Sequence, residues 1–117
     1  MKKKIKISFV GCGKIFKKHY SAIKRLNKLY IIEAVCDNQL NDFSKLNLNK
    51  NIKVFGDLKN LLLKTNSDIY VILTPSGYHY KNILEISKKS KNIIVEKPLV
   101  INYEQGKKIN NHANKKN

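Results

Sequence analysis

Arginine is all but missing from this chain: Arg25 stands alone among 24 basic residues, which face only 8 acidic ones for a formal net charge of +16. A surplus of that size raises nucleic acid or an anionic surface as a partner. The shortage of arginine argues otherwise, because nucleic-acid readers use the guanidinium fork for bidentate contacts, and the lysines here are scattered over every predicted element. The abundance of Lys, Asn and Ile reads as a coding bias toward A/T-rich codons, so no specific nucleic acid is expected. Cysteine is scarce too. Cys12 and Cys36 are too few and too far apart for a zinc cluster or a secreted disulfide framework and read as small packing residues. His19, His79 and His112 lack paired ligand spacing, so no metal is expected. No apolar run approaches the ~18 residues of a membrane span, and Met1-Lys2-Lys3-Lys4 leads into a strand without a cleavable apolar core. No membrane partner and a cytoplasmic location are the expectations.

What is present is ordinary globular material: 117 residues, 42% apolar and 27% charged, enough for one domain over residues 1–117 and not for two. Ile5, Ile7, Phe9 and Val10 form a buried-strand pattern that stops at Gly11-Cys12-Gly13. Phe16, His19, Tyr20, Ile23 and Leu26 recur at helical spacing and predict a helix with one face on a sheet. Strands follow at Ile31–Cys36, Ile52–Phe55, Ile69–Leu73 and Ile93–Val95. The stretch from Asn38 to Asn51 supports at most a short irregular helix. Asp57 caps a helix carrying Leu58, Leu61 and Leu62, and Thr74-Pro75-Ser76-Gly77 breaks the chain before a helix from about Tyr78 to Lys88. That helix turns Tyr80, Ile83, Leu84 and Ser87 inward. Asn102, with Gln105 three residues on, caps a last helix running to Asn117. Five strands alternating with helices predict an α/β fold, a doubly wound parallel sheet truncated after about five strands where the full arrangement has six.

Gly11-x-Gly13 sits between a strand and a helix. There the first glycine allows a tight turn, and the second lets the backbone approach a pyrophosphate held by free N–H groups at the positive helix end. The third glycine of the full fingerprint is absent: Phe16 holds its place and must push the helix outward or pack between helix and strand. Asp37 ends the second strand near the ~20-residue separation expected for an acid that binds an adenosine ribose. A carboxylate there repels a 2′-phosphate, and neither Asn38 nor Gln39 offers a positive charge, which favours NAD over NADP. A plain strand-to-helix turn and a strand-end Asp cap remain the structural alternatives. Glu96-Lys97-Pro98 closes the last strand, and residues at the carboxyl ends of parallel strands line the ligand crevice. Pro98 forces Lys97 out of the helical region and admits a cis bond, while composition alone makes Lys97 a surface lysine.

At four points, in order and over nearly its whole length, the chain resembles the N-terminal Rossmann domain of the Gfo/Idh/MocA oxidoreductases. These are Phe9-Val10-Gly11-Cys12-Gly13-Lys14-Ile15 with His19; Val35-Cys36-Asp37; Asp68 to Ser76 with His79; and Val95-Glu96-Lys97-Pro98-Leu99. The resemblance implies nicotinamide-dependent oxidation or reduction of a sugar or polyol hydroxyl. Gly11, Gly13, Lys14 and Ile15 would hold the pyrophosphate and Asp37 the ribose. Thr74, Pro75, Ser76 and His79 would border the cofactor, Glu96 would sit near the nicotinamide ribose, and Lys97 would contact the reacting hydroxyl. Thr-Pro-Ser-Gly with Glu-Lys-Pro is most similar to the branch acting at C3 of nucleotide-activated amino sugars. Family members are about three times longer and carry a C-terminal substrate domain. The resemblance therefore implies the NAD-binding half of a sugar or nucleotide-sugar dehydrogenase, inactive or nearly so alone; the rival is a stand-alone, non-catalytic nucleotide-binding module. An open sheet edge adds the expectation that the chain self-associates or takes up a separate C-terminal domain.

Overall fold

The computed structural model describes residues 3–100 and 102–116, so the expected helix end at Asn117 and the first two residues lie outside it. Five strands, β1 (Ile5–Val10), β2 (Tyr30–Cys36), β3 (Lys53–Phe55), β4 (Ile69–Ile72) and β5 (Ile93–Val95), form one sheet in the order β3-β2-β1-β4-β5. Every pairing is parallel. The order reverses between β1 and β4, and a ligand crevice belongs outside the carboxyl ends of the strands at that point.

The two sheet faces carry different cores. Ile7, Phe9, Val35 and Val71 face α1 (Phe16–Arg25), which adds Phe16 and Tyr20. Val10, Ala34, Tyr70 and Ile72 face α2 (Leu58–Lys64) and α3 (His79–Ser87) through Leu61, Ile83 and Ile86. Alternation of neighbouring strand residues between the two clusters is the period-2 consequence of the pleat. Ile109 of α4 (Tyr103–Lys116) packs on the second cluster, and the Asn102 side chain accepts from the Gln105 amide at 2.9 Å, as the cap pattern predicts.

The structure corrects several boundaries. Between Asn38 and Asn51 the only helical piece is a single 3₁₀ turn, Phe43–Leu46, whose Asp42 side chain accepts from Ser44. A second 3₁₀ turn, Ser76–Tyr78, precedes α3, so that helix starts at His79 rather than Tyr78 and buries His79 and Ile86, with Tyr80, Leu84 and Ser87 only half-buried. Leu26 is exposed because α1 ends one residue earlier and Leu26 begins the turn into β2.

Phe16 packs between helix and strand. Its ring lies edge-on to Phe9 at 5.4 Å between centroids and stacked on Tyr20 at 5.6 Å. The volume that a third glycine would leave free is therefore filled by an aromatic ladder, and restoring a small residue opens a cavity. Phe16→Ala should cost ~3–5 kcal/mol, read as a lower denaturant midpoint at unchanged slope.

Cys12 and Cys36 are both buried and unpaired, in the cores of opposite sheet faces. Burial pushes each thiol from 9.0 up to about 12; Asp37 adds to the effect at Cys12, and Asp57 and then Asp37 at Cys36. The unfolded chain ionises these thiols first, so their contribution to stability is full below pH 9 and is lost as pH rises from 9 toward 12. Stability should fall by ~1.4 kcal/mol per pH unit per thiol in that window, a slope missing from a Cys12→Ala, Cys36→Ala double variant. At pH 8 both thiols should alkylate about 10³-fold more slowly in the folded protein than in the unfolded chain.

Candidate functional site

The loop after β1 is shaped by one close approach. Gly11 has φ +101°, and a Cβ there would stand 2.7 Å from the Thr74 nitrogen and 2.8 Å from the Leu73 carbonyl carbon. No side chain fits, so the glycine at this position follows from both conformation and space. The Gly11 amide donates to the Cys36 carbonyl at 2.7 Å, and the Cys12 amide donates to Asp37 Oδ2 at 2.8 Å. Past that point the pattern stops: among the described residues no protein acceptor meets the N–H of Gly13, Lys14 or Ile15. Ile15 provides no side-chain cap, and the first turn of α1 holds no acid. Three free donors at the positive end of a ten-residue helix are suited to an anion. Nothing lies within 4 Å of where a Gly13 Cβ would be, so that glycine keeps the approach to these donors open.

This loop forms one wall of a cleft of about 630 Å³ at the carboxyl ends of the strands. Gly11, Gly13, Lys14, Asp37, Thr74 and Pro75 line it, six of the residues named from the sequence. Among the described residues Lys14 is the only cationic side chain on the cleft wall. Asp37 is half-buried, and its second oxygen accepts from the Gln39 amide at 2.8 Å, so the carboxylate also braces the loops after β1 and β2. Thr74 donates its hydroxyl to Asn82 Oδ1 at 2.6 Å.

The other five named residues are not on this wall. Ile15 is half-buried and packs its side chain on the core, leaving only its amide for a ligand. Ser76 opens the 3₁₀ turn, and its carbonyl accepts from the His79 amide. His79 is 1% exposed, and its two ring nitrogens contact the backbone carbonyls of Pro98 and of the cleft-lining Thr74. Its place at the head of α3 turns the ring inward. Glu96 pairs with His19 at 3.2 Å, and Lys97 is exposed beside a cis peptide bond to Pro98.

Several lining residues escaped the sequence reading. Asp57 was legible only as a helix cap, a role it fulfils by accepting from the Asn60 amide at 2.7 Å, yet it also faces the cleft from the loop after β3. Tyr78 and Asn82 line it from the 3₁₀ turn and α3. Their signal is topological: the loop after each strand reaches the same end of a parallel sheet.

The GFO_IDH_MocA description, an oxidoreductase family with an NAD-binding Rossmann fold, matches residues 5–117. D-glucoside 3-dehydrogenase of Escherichia coli K12 is 26% identical over 113 residues, 95% of this chain and 32% of that protein. The WlbA dehydrogenase of Bordetella pertussis, solved with NADH and UDP-GlcNAcA, superposes with a TM-score of 0.89 at 27% identity, covering 97% of this chain and 35% of that one. The corresponding enzyme of Chromobacterium violaceum, in complex with the same two ligands, gives 0.85 at 28%, covering 97% and 33%. The chain thus spans about a third of the length of these relatives. With its parallel sheet, glycine turn and strand-end acid, it belongs to the oxidoreductase family with an NAD-binding Rossmann fold.

Proposed function

We propose that this chain is the NAD-binding part of a sugar or nucleotide-sugar dehydrogenase. Bound NAD supplies a hydride acceptor. The observation that carries this reading is that among the described residues no protein acceptor meets the amides of Gly13, Lys14 and Ile15, at the start of α1 beside the cleft that Gly13, Lys14 and Asp37 line. These amides and the Lys14 ammonium hold the pyrophosphate, and Asp37 accepts from the adenosine ribose hydroxyls with the lone pairs that its own loop leaves free. Asp57 stands on the same wall, so two carboxylates oppose a 2′-phosphate against a single lysine, and NAD is preferred over NADP.

The sugar substrate is inferred from the named relatives: a D-glucoside 3-dehydrogenase, and dehydrogenases solved with a nucleotide sugar and NADH. Lys97 follows the edge strand, where its ammonium donates to the substrate oxygen and stabilises the negative charge that develops as the carbinol hydrogen leaves as hydride. The two thirds of those relatives that this chain does not match are where a substrate wall over the cleft would lie.

Calorimetric titration with NAD and NADP tests the cofactor assignment. Asp37→Ala should weaken NAD by about 10- to 100-fold, the loss of one or two charge-assisted hydrogen bonds. Asp57→Asn separates charge from structure, since Asn caps a helix as well as Asp; it should raise NADP affinity while NAD changes little. A wild type that prefers NADP overturns the assignment. Lys97→Met, assayed with a separately supplied substrate domain of a relative, should lower kcat by ~10²-fold and leave NAD affinity nearly intact. NAD binding without turnover in the unsubstituted complex would favour the non-catalytic module.

A further inference from the structure

Apart from the 3.2 Å contact of the Glu96 side chain with His19, the segment that carries Lys97 has few tethers. β5 is a three-residue edge strand, and its pairing ends where the Glu96 amide donates to the Ile72 carbonyl at 3.0 Å. The Lys97 amide reaches only its neighbour, Glu96 Oε1, at 3.3 Å. Lys97, Pro98 and Leu99 are exposed. Among the described residues, the one hydrogen-bond contact from positions 97–100 to another part of the fold is that of the Pro98 carbonyl with His79 Nδ1, at 2.7 Å.

His79 is built to hold that contact. Its other nitrogen, Nε2, lies 2.7 Å from the Thr74 carbonyl, and the ring is 1% exposed. A carbonyl oxygen only accepts, so each contact is made by a proton on the facing nitrogen; the imidazolium makes both and either neutral tautomer makes one. Thr74 lines the cleft and abuts Gly11, whose missing Cβ admits its backbone. A single buried ring thereby joins the turn after β4, which touches the cleft, to the turn after β5, which bears Lys97. We propose that His79 is a positioning residue that clamps the Glu96-Lys97-Pro98 turn to the cofactor wall and so determines where the Lys97 ammonium stands over bound NAD; this rests on the reading of the cleft as an NAD site.

Lysine labelling with and without NAD, mapped residue by residue, tests it in the chain as it stands. At NAD ten times its Kd the site is about nine-tenths filled, so labelling of Lys14 and of Lys97 should each slow by up to about tenfold in the wild type. His79→Phe keeps an aromatic ring of similar size and removes both donors, while His79→Gln keeps an amide donor for one carbonyl. NAD affinity and Lys14 protection should change less than about threefold in both variants, because the glycine loop is untouched. Protection of Lys97 should fall below about twofold in His79→Phe and lie between in His79→Gln. Equal Lys97 protection in the wild type and both variants overturns the clamp. Absence of NAD binding in the wild type overturns the cofactor reading instead. In that case, or if neither variant folds, ring N–H exchange in the ¹⁵N-histidine-labelled wild type decides the clamp. The His79 Nδ1–H that faces the Pro98 carbonyl should exchange slowly, unlike the ring protons of the half-buried His19 and His112. Fast exchange of that proton overturns the clamp.

Discussion

The backbone of β4's end runs so close to Gly11 that a methyl group between them would sit 2.7 Å from the Thr74 nitrogen, and the site depends on this contact. With the two chains in van der Waals reach, β1 ends in a left-handed turn instead of continuing past the sheet, and α1 starts within five residues of Gly11. That abrupt reversal aims the first amides of α1 back over the strand ends. A longer connection would let side chains or other carbonyls satisfy them. That no protein acceptor among the described residues meets the Gly13, Lys14 and Ile15 donors is therefore a consequence of one steric constraint together with the lack of a side-chain cap from Ile15.

Asp37 shows how binding and folding share a group. Its carboxylate accepts amides from both Cys12 and Gln39, holding the loops after β1 and β2 against each other across the crevice. Those bonds use one direction at each oxygen and leave others free toward the cleft. The brace also places negative charge beside both thiols, which adds to burial in keeping Cys12 and Cys36 protonated. Small, neutral and apolar in practice, the two cysteines serve as core residues on the two faces of the sheet.

What could be read from the sequence follows from how local its cause is. Strand order, parallel pairing and the glycine turn rest on hydrophobic period and on one residue type at one turn, and all five strands stand where the pattern puts them to within a residue or two. Asn102 and Asp57 cap their helices through bonds spanning three residues, again a local cause. What the sequence left open is non-local. His79 reads as a polar helix residue near a cofactor until the fold supplies two carbonyls, one five residues away and one nineteen, that draw the ring inside. Phe16 occupies a position where close helix–strand contact favours glycine, and only its partners Phe9 and Tyr20 reveal that this helix stands off on a stack of rings. Asp57 faces the cleft because the loop after β3 ends on the same side as those after β1 and β2, a relation that no short motif encodes.

The two ends of the crevice differ in how firmly they are built. The glycine-turn end is framed by the three central strands and by bonds among Gly11, Cys12, Cys36 and Asp37, all buried or half-buried. The Lys97 end hangs from a three-residue edge strand and is joined to the rest through Glu96 with His19 and through His79 with Pro98. A ligand must be gripped before it is transformed, and rigidity at the first end pre-organises the donors it needs. The second end is open: Lys97 is exposed, on a backbone held through its neighbours Glu96 and Pro98. The turn at the second end is joined by two side-chain contacts, whereas the first end is knit by backbone and carboxylate bonds across three strands, and that difference follows from β5 lying at the sheet edge.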